Sequence, residues 1–243
     1  RHDVLPESLP PLQARISAYR RYNDRVEAVE QLAGIQLDIE PYLLPGYHLA
    51  TDHWRERYLQ TIAVAHQTIG DTLAMDLVMP VWWGTHPDWG SKLLDELDLP
   101  RISLTIMNYR TDYEQLVQGM TPFLNWGILQ QQPVRVALET GSLADETQRL
   151  YSANPEAGEL WVMQTGAVPV LVLFAESQQG LPGHAFSLRE ERVFSAGVLT
   201  FAGDQPRLHN VARRLAEELR SWSSFQGIAL HGLDEIYADR PND

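Results

Sequence analysis

Asp38 and Glu40 stand two residues apart in the run Gly34-Ile35-Gln36-Leu37-Asp38-Ile39-Glu40-Pro41-Tyr42, and that spacing sets what they could do. In an extended chain successive side chains alternate sides, so Gln36, Asp38 and Glu40 share one face while Ile35, Leu37 and Ile39 share the other. Two carboxyls held this close repel when both are ionised, which is one way to keep one of them protonated as a general acid. Burying such a face without partners is costly. It must therefore line a hollow, or lie on an edge strand with a solvated acidic face. Pro41 removes a backbone donor and stops the ladder.

Further residues of useful chemistry follow other short apolar runs. Asp76 lies within Leu73–Pro80, with Trp82 and Trp83 just beyond; Asn108, Tyr109 and Arg110 follow Ile102–Met107. Glu139 follows Val134–Leu138 and precedes Thr140-Gly141, and His231 follows Gly227–Leu230. Aromatic faces stack on sugar rings, amides and carboxylates bind hydroxyls, and two acids flanking a glycosidic bond can break it. Each residue also has a plainer reading. Glu139 could cap a turn or pair with Arg110, Asp76 could be a buried partner for Arg110 or Tyr109, and His231 could be structural. Trp82 and Trp83 are adjacent and must point different ways, one to the core and one free to be a sugar platform. Tyr42 and Tyr47 could line a mouth or pack a loop.

The elements that would position these groups alternate. Apolar residues from Leu12 to Leu32 recur at three- and four-residue steps, predicting a helix to about Gln31. The Asp38 strand follows. Thr51 or Asp52 caps a helix to about Ile69, and the Asp76 strand, a short helix near Ser91 to Leu97 and the Ile102 strand come next. A helix from Tyr113 to about Ile128, the Val134 strand, a helix from Pro206 to about Trp222 and the Gly227 strand complete the series. Helix and strand in alternation with short connections is the pattern of parallel βαβ units. Five such strands, each ending in polar or aromatic residues, predict an α/β fold of the (β/α)8 TIM-barrel type in which these are strands four to eight and the first three βα units are lacking. Residues 142 to 206 break the rhythm with two apolar runs, Val168 to Ala175 and Val193 to Ala202, and are expected to be a β-rich, hairpin-like insertion with a helix near Asp145 to Tyr151. On this reading residues 1 to 243 form one barrel domain with an insertion.

Composition narrows the function classes. A formal charge of -13 and a pI near 5.0 argue against a nucleic-acid or anionic-membrane surface, both of which need clustered Lys and Arg. No apolar run approaches the roughly 20 residues of a membrane span. There is no cysteine, hence no disulfide or thiolate chemistry. His48, His53, His66 and His86 lack the spacing of two ligands on one helix, and there is no Gly-rich phosphate loop and no Gly-x-Ser-x-Gly, so no metal and no cofactor is expected. The chain starts at Arg1 without a signal-peptide pattern, so its natural beginning is expected to be missing. A periplasmic or secreted setting is the preferred one.

Ile35-Gln36-Leu37-Asp38-Ile39-Glu40 resembles the fourth-strand motif of glycoside hydrolase family 18, the chitinase-like barrels, and Met107-Asn108-Tyr109 resembles that family's sixth-strand segment. The likeness implies Glu40 as general acid, Asp38 as its proton-sharing partner and Tyr109 as a substrate contact. Gln36 stands where the family has an aspartate, and Arg110 follows the tyrosine where the family usually has another. Glu40-Pro41 and Glu139 are also similar to the acid and nucleophile positions of the large retaining-glycosidase clan on the same barrel, with Ile39 replacing the usual Asn. The segments around Asn108, Glu139 and His231 are similar to uncharacterised barrel proteins related to glycosidases. The resemblances imply a glycoside hydrolase acting on a polysaccharide or oligosaccharide. Glu40, Asp38 and Glu139 would be catalytic, and Tyr42, Asp76, Trp82, Trp83, Asn108, Tyr109, Arg110 and His231 would contact a carbohydrate. The alternative is a carbohydrate-binding barrel that has lost its chemistry.

Overall fold

The computed structural model describes residues 2–86, 90–165 and 168–233. The chain divides into two compact units, Arg1–Ser142 with Leu199–Asp243, and Leu143–Val198.

The first unit is built on a parallel sheet of β1 (Gly34–Asp38), β2 (Ala74–Pro80), β3 (Ile102–Met107), β4 (Val134–Glu139) and β9 (Phe225–His231), in the order β1-β2-β3-β4-β9. The helices are α1 (Leu9–Asn23), α2 (Thr51–Ile69), α3 (Val81–Thr85), α4 (Gly90–Glu96), α5 (Tyr113–Gln130) and α6 (Gln205–Leu219). Crossovers between parallel strands are right-handed, so a strand order that advances in one direction sends successive helices to the same face. Sequence alternation matches this. Leu37, Ile39, Met75, Leu77, Met79, Ile102, Leu104, Ile106, Val134, Val136 and Leu138 join the core that also takes in Ile62 and Ile69 of α2, Phe123 of α5 and Leu215 of α6.

The opposite face carries the polar alternates in register. Gln36 pairs with Asp76 and Asp76 with Ser103 across the strands. Asp76 accepts from Gln36 Nε2 at 2.7 Å, Thr105 Oγ1 at 2.8 Å, Ser103 Oγ, and Arg135 Nη1 at 3.4 Å. Four donors on three neighbouring strands thus satisfy one carboxylate of β2.

The strands do not form the (β/α)8 barrel that their alternation with helices predicts. The five parallel strands form an open sheet, with β1 and β9 as its edges and no closure among the described residues. Alternation of helix and strand specifies parallel pairing but not closure, which depends on strand number and stagger rather than on any one strand's sequence. The first helix also ends earlier than its apolar spacing predicts. It stops at Asn23, whose buried side chain donates to Leu32 O and accepts from Leu32 N, both at 2.8 Å. An Asn that binds backbone so well competes with the helix, and Val29 is left almost fully exposed. Asn23→Ala removes both bonds and is expected to cost about 1–3 kcal/mol. A chemical-denaturation midpoint indistinguishable from wild type would show that the clamp contributes nothing.

The second unit is an antiparallel sheet of β5 (Glu146–Ala153), β6 (Ala157–Thr165), β7 (Val168–Gln179) and β8 (His184–Phe194), in the order β5-β8-β6-β7. The helix expected near Asp145 to Tyr151 is instead β5. Its backbone is paired antiparallel along β8, from Glu146 opposite Phe194 to Ala153 opposite Phe186, with a register shift between Leu150 and Tyr151. Arg149 Nε meets Glu191 Oε2 at 2.6 Å across the pair with β8. Trp161 and Ala185 are its buried centre, and Trp161 Nε1 donates to Gly158 O. Among the described residues no helix is long and apolar enough to cross a membrane.

Candidate functional site

Parallel pairing brings the C-terminal ends of β1, β2, β3, β4 and β9 to one rim of the first unit. Asp38 ends β1, and Glu40 lies two residues on, at the start of a tight turn over Pro41–Leu43. That turn swings Tyr42 back so that its hydroxyl donates to Glu40 Oε1. Asp38 keeps solvent contact, yet its carboxyl is held above the usual range, chiefly by desolvation and then by the neighbouring Glu40 charge. Burial, then the hydrogen bond to Glu40, pushes the Tyr42 phenol far up, and burial followed by the Glu139 and Asp38 charges does the same to Tyr109. These tyrosines are permanent hydroxyl donors at neutral pH.

An ionised Asp38 is disfavoured in the folded state, so its raised pKa gives stability that is present at low pH and lost as pH rises through the folded value. Asp38→Asn should therefore raise the melting temperature at neutral pH. The gain should vanish below the ordinary carboxylate range, where wild-type Asp38 is neutral in both states. A variant that melts lower than wild type at pH 7 would contradict the desolvated setting.

An aromatic wall stands beside Glu40. Tyr42 meets Trp82 edge-on at 5.5 Å and Trp83 at 6.0 Å; Trp82 meets Tyr47 at 6.4 Å. Trp83 is 1% exposed and Trp82 36%, so the two neighbours diverge, one into the core and one along the rim. Tyr47 is buried, and desolvation raises its phenol to about 12. Tyr58, which the sequence did not single out, packs on Trp83 with ring centroids 4.8 Å apart.

The third group couples β4 to β9, whose register sets Glu139 beside His231. Glu139 is buried and every oxygen of its carboxylate is engaged. Oε1 accepts from Thr140 N at 3.0 Å and Gly141 N at 2.7 Å, and Oε2 meets His231 Nδ1 at 2.7 Å. The expected nucleophile is therefore tied down by backbone and imidazole. The ring of Tyr109 stacks on that of His231, with centroids 5.8 Å apart and planes 10° from parallel. Gly232, another residue not foreseen, closes over this turn: with φ +72°, a Cβ there would sit 2.5 Å from Gly141 N and 3.1 Å from Glu139 Oε1. The available signal was the pair of strand ends followed by glycine, Glu139-Thr140-Gly141 and His231-Gly232.

Asp38, Glu40, Tyr42, Tyr109, Glu139 and His231 form one group linked by charge: Asp38 responds to Glu40 and His231, Tyr42 to Glu40 and Asp38, and Tyr109 to Glu139, Asp38 and Glu40. Besides Trp82 and Trp83 of the aromatic wall, three expected contacts lie outside it. Asp76 is committed to the sheet-face network already described, not to Arg110 or Tyr109. Asn108 is fully buried and its Nδ2 donates to Leu116 O in the first turn of α5. Arg110 turns onto its own backbone, donating to Tyr109 O at 2.7 Å. Among the described residues no set of three His, Asp or Glu side chains is arranged to hold a metal ion. Comparison with protein-family models, with curated proteins and with solved structures finds no match for this chain.

Proposed function

We propose that the chain is a glycoside hydrolase acting on a polysaccharide or oligosaccharide at the rim of its parallel sheet. Glu40 delivers a proton to the leaving oxygen, and Asp38 shares that proton between turnovers. Tyr42, Tyr109 and Trp82 supply hydroxyl donors and ring faces for the sugar. The observation that carries this reading is the Asp38–Glu40 pair: two carboxyls from one strand end, one of them displaced upward by burial and by the other's charge, beside a wall of aromatic rings. Leaving-group protonation requires a carboxyl that keeps its proton, and desolvation of Asp38 beside Glu40 works in that direction. Aromatic rings with a polar edge are the usual platform for pyranose faces.

One observation favours a second reading, a carbohydrate-binding site without chemistry. Glu139 is engaged at both oxygens by its own turn and by His231, so the expected second carboxylate is already committed. Incubation with a panel of soluble oligosaccharides separates the two. Release of reducing ends supports hydrolysis, and binding without release supports the second reading. A panel that shows no binding and no release would sink the assignment to carbohydrate.

A further inference from the structure

We infer that His231 is the base that activates water in the proposed hydrolysis, that Glu139 is the residue that positions it, and that the reaction therefore inverts the anomeric centre. The role rests on the glycosidase reading given above.

The distribution of burial carries the assignment. The Glu139 side chain is 5% exposed, whereas the His231 side chain that it binds is 66% exposed. A buried carboxylate is expensive, and an apolar residue of similar size commonly serves stability as well or better. Here that cost supports an imidazole standing at the surface, the reverse of a structural histidine satisfied inside a core. The carboxylate is itself fixed by two backbone N–H groups, and the turn that offers them is locked from several sides. Thr140 N and Thr140 Oγ1 both donate to His231 O, Thr200 Oγ1 donates to Gly141 O at 2.7 Å, and Phe201 N donates to Glu139 O at 2.9 Å. Gly232 fills the remaining space so closely that no side chain fits. Tyr109, stacked on the ring, fixes its plane.

The chemistry follows from the hydrogen-bond inventory. An ionised carboxylate only accepts, so Nδ1 must carry the proton that faces Glu139, and in the neutral ring Nε2 is then the basic nitrogen. A carboxylate that fixes the tautomer of a histidine base is a recurring catalytic device. Tyr109, whose ring stacks on His231, also lies within reach of the Glu139, Asp38 and Glu40 charges, which ties the base to the strand end that carries the acid. In the step, a water oxygen bonds to the anomeric carbon as the glycosidic C–O bond breaks. The leaving oxygen takes that bond's electron pair and the proton of Glu40. The water's proton passes to His231 Nε2. Attack by water opposite the leaving group inverts the centre, whereas a carboxylate nucleophile would retain it.

The test follows the anomer first released by the wild-type chain, by proton NMR, alongside His231→Asn and Glu139→Gln. Inversion is expected, with His231→Asn lowering kcat by about 10²–10⁴-fold while KM stays within about threefold. Glu139→Gln carries a sharper signature. Its amide oxygen must accept the two backbone N–H groups, so its NH2 faces His231 Nδ1 and drives the ring proton to Nε2. Nitrogen-15 shifts of His231 should report the Nδ1–H tautomer in wild type and the Nε2–H tautomer in the variant, and kcat should fall with KM unchanged. These shifts are read without turnover, and the exposed His231→Asn change covers the case in which Glu139→Gln fails to fold. Retention of configuration, or turnover that survives His231→Asn, would overturn the base assignment and leave the glycosidase reading standing. An unchanged tautomer in Glu139→Gln would overturn the positioning role. Wild-type protein that releases no sugar would remove both together.

Discussion

Glu40→Gln should lower kcat on a cleaved oligosaccharide by about 10²–10⁴-fold, the usual contribution of a positioned proton donor. The substitution keeps side-chain length and can still accept the Tyr42 hydroxyl hydrogen bond, so the tight turn over Pro41–Leu43 should survive and the melting temperature should stay close to wild type. Binding should persist because the aromatic wall of Tyr42, Trp82 and Tyr47 is untouched. The pattern that matters is loss of kcat with KM nearly constant, which marks an interaction made in the transition state and not in ground-state binding. A substrate with a good leaving group, such as a nitrophenyl glycoside, needs little protonation and should suffer less. Equal loss on good and poor leaving groups would remove Glu40 from the role of acid.

Trp83→Ala should be the most destabilising single change of the site region, at about 3–5 kcal/mol for truncating a fully buried tryptophan. Its ring is 1% exposed, edge-on to Tyr58 at 4.8 Å and to Tyr42 at 6.0 Å. Chemical denaturation followed by far-ultraviolet circular dichroism gives the loss as a lower midpoint of the transition. A second effect should accompany it at temperatures where the variant is still folded. Tyr42 loses the ring it packs against, so its donation to Glu40 loosens and kcat falls as well. Trp82→Ala, on the partly exposed neighbour, should reverse the balance, with weaker carbohydrate binding and a much smaller loss of stability. A Trp83→Ala variant within about 1 kcal/mol of wild type would contradict the packing of this core.

Glu40 and Trp83 differ in how far their placement follows from the sequence. Asp38 and Glu40 could be placed on a common face from alternation alone, because a two-residue period is a property of the extended chain and needs no partner. The same holds for Trp82 and Trp83, whose adjacency required them to diverge, although only packing shows which is buried. β3 spans Ile102–Met107 as its apolar run predicts, and α2 ends at Ile69. Asp76 reads equally well as a substrate ligand or as a structural ion, and only register resolves it, since its four donors come from β1, β3 and β4. Asn108 and Arg110 follow the same logic: each sits at a strand end, and each is used by nearby backbone.

Local periodicity determined a great deal of this protein: helices alternating with parallel strands, the apolar and polar faces of each strand, and the carboxyl pair at the end of β1. Those features depend on neighbours a few residues away, which the chain carries within itself. Tertiary structure alone decided that the sheet stays open, that residues 146–153 pair as a strand, and that Glu139 is bound to His231, 92 positions later. Such outcomes turn on strand count, register and which distant segments meet, and no short stretch of sequence encodes them.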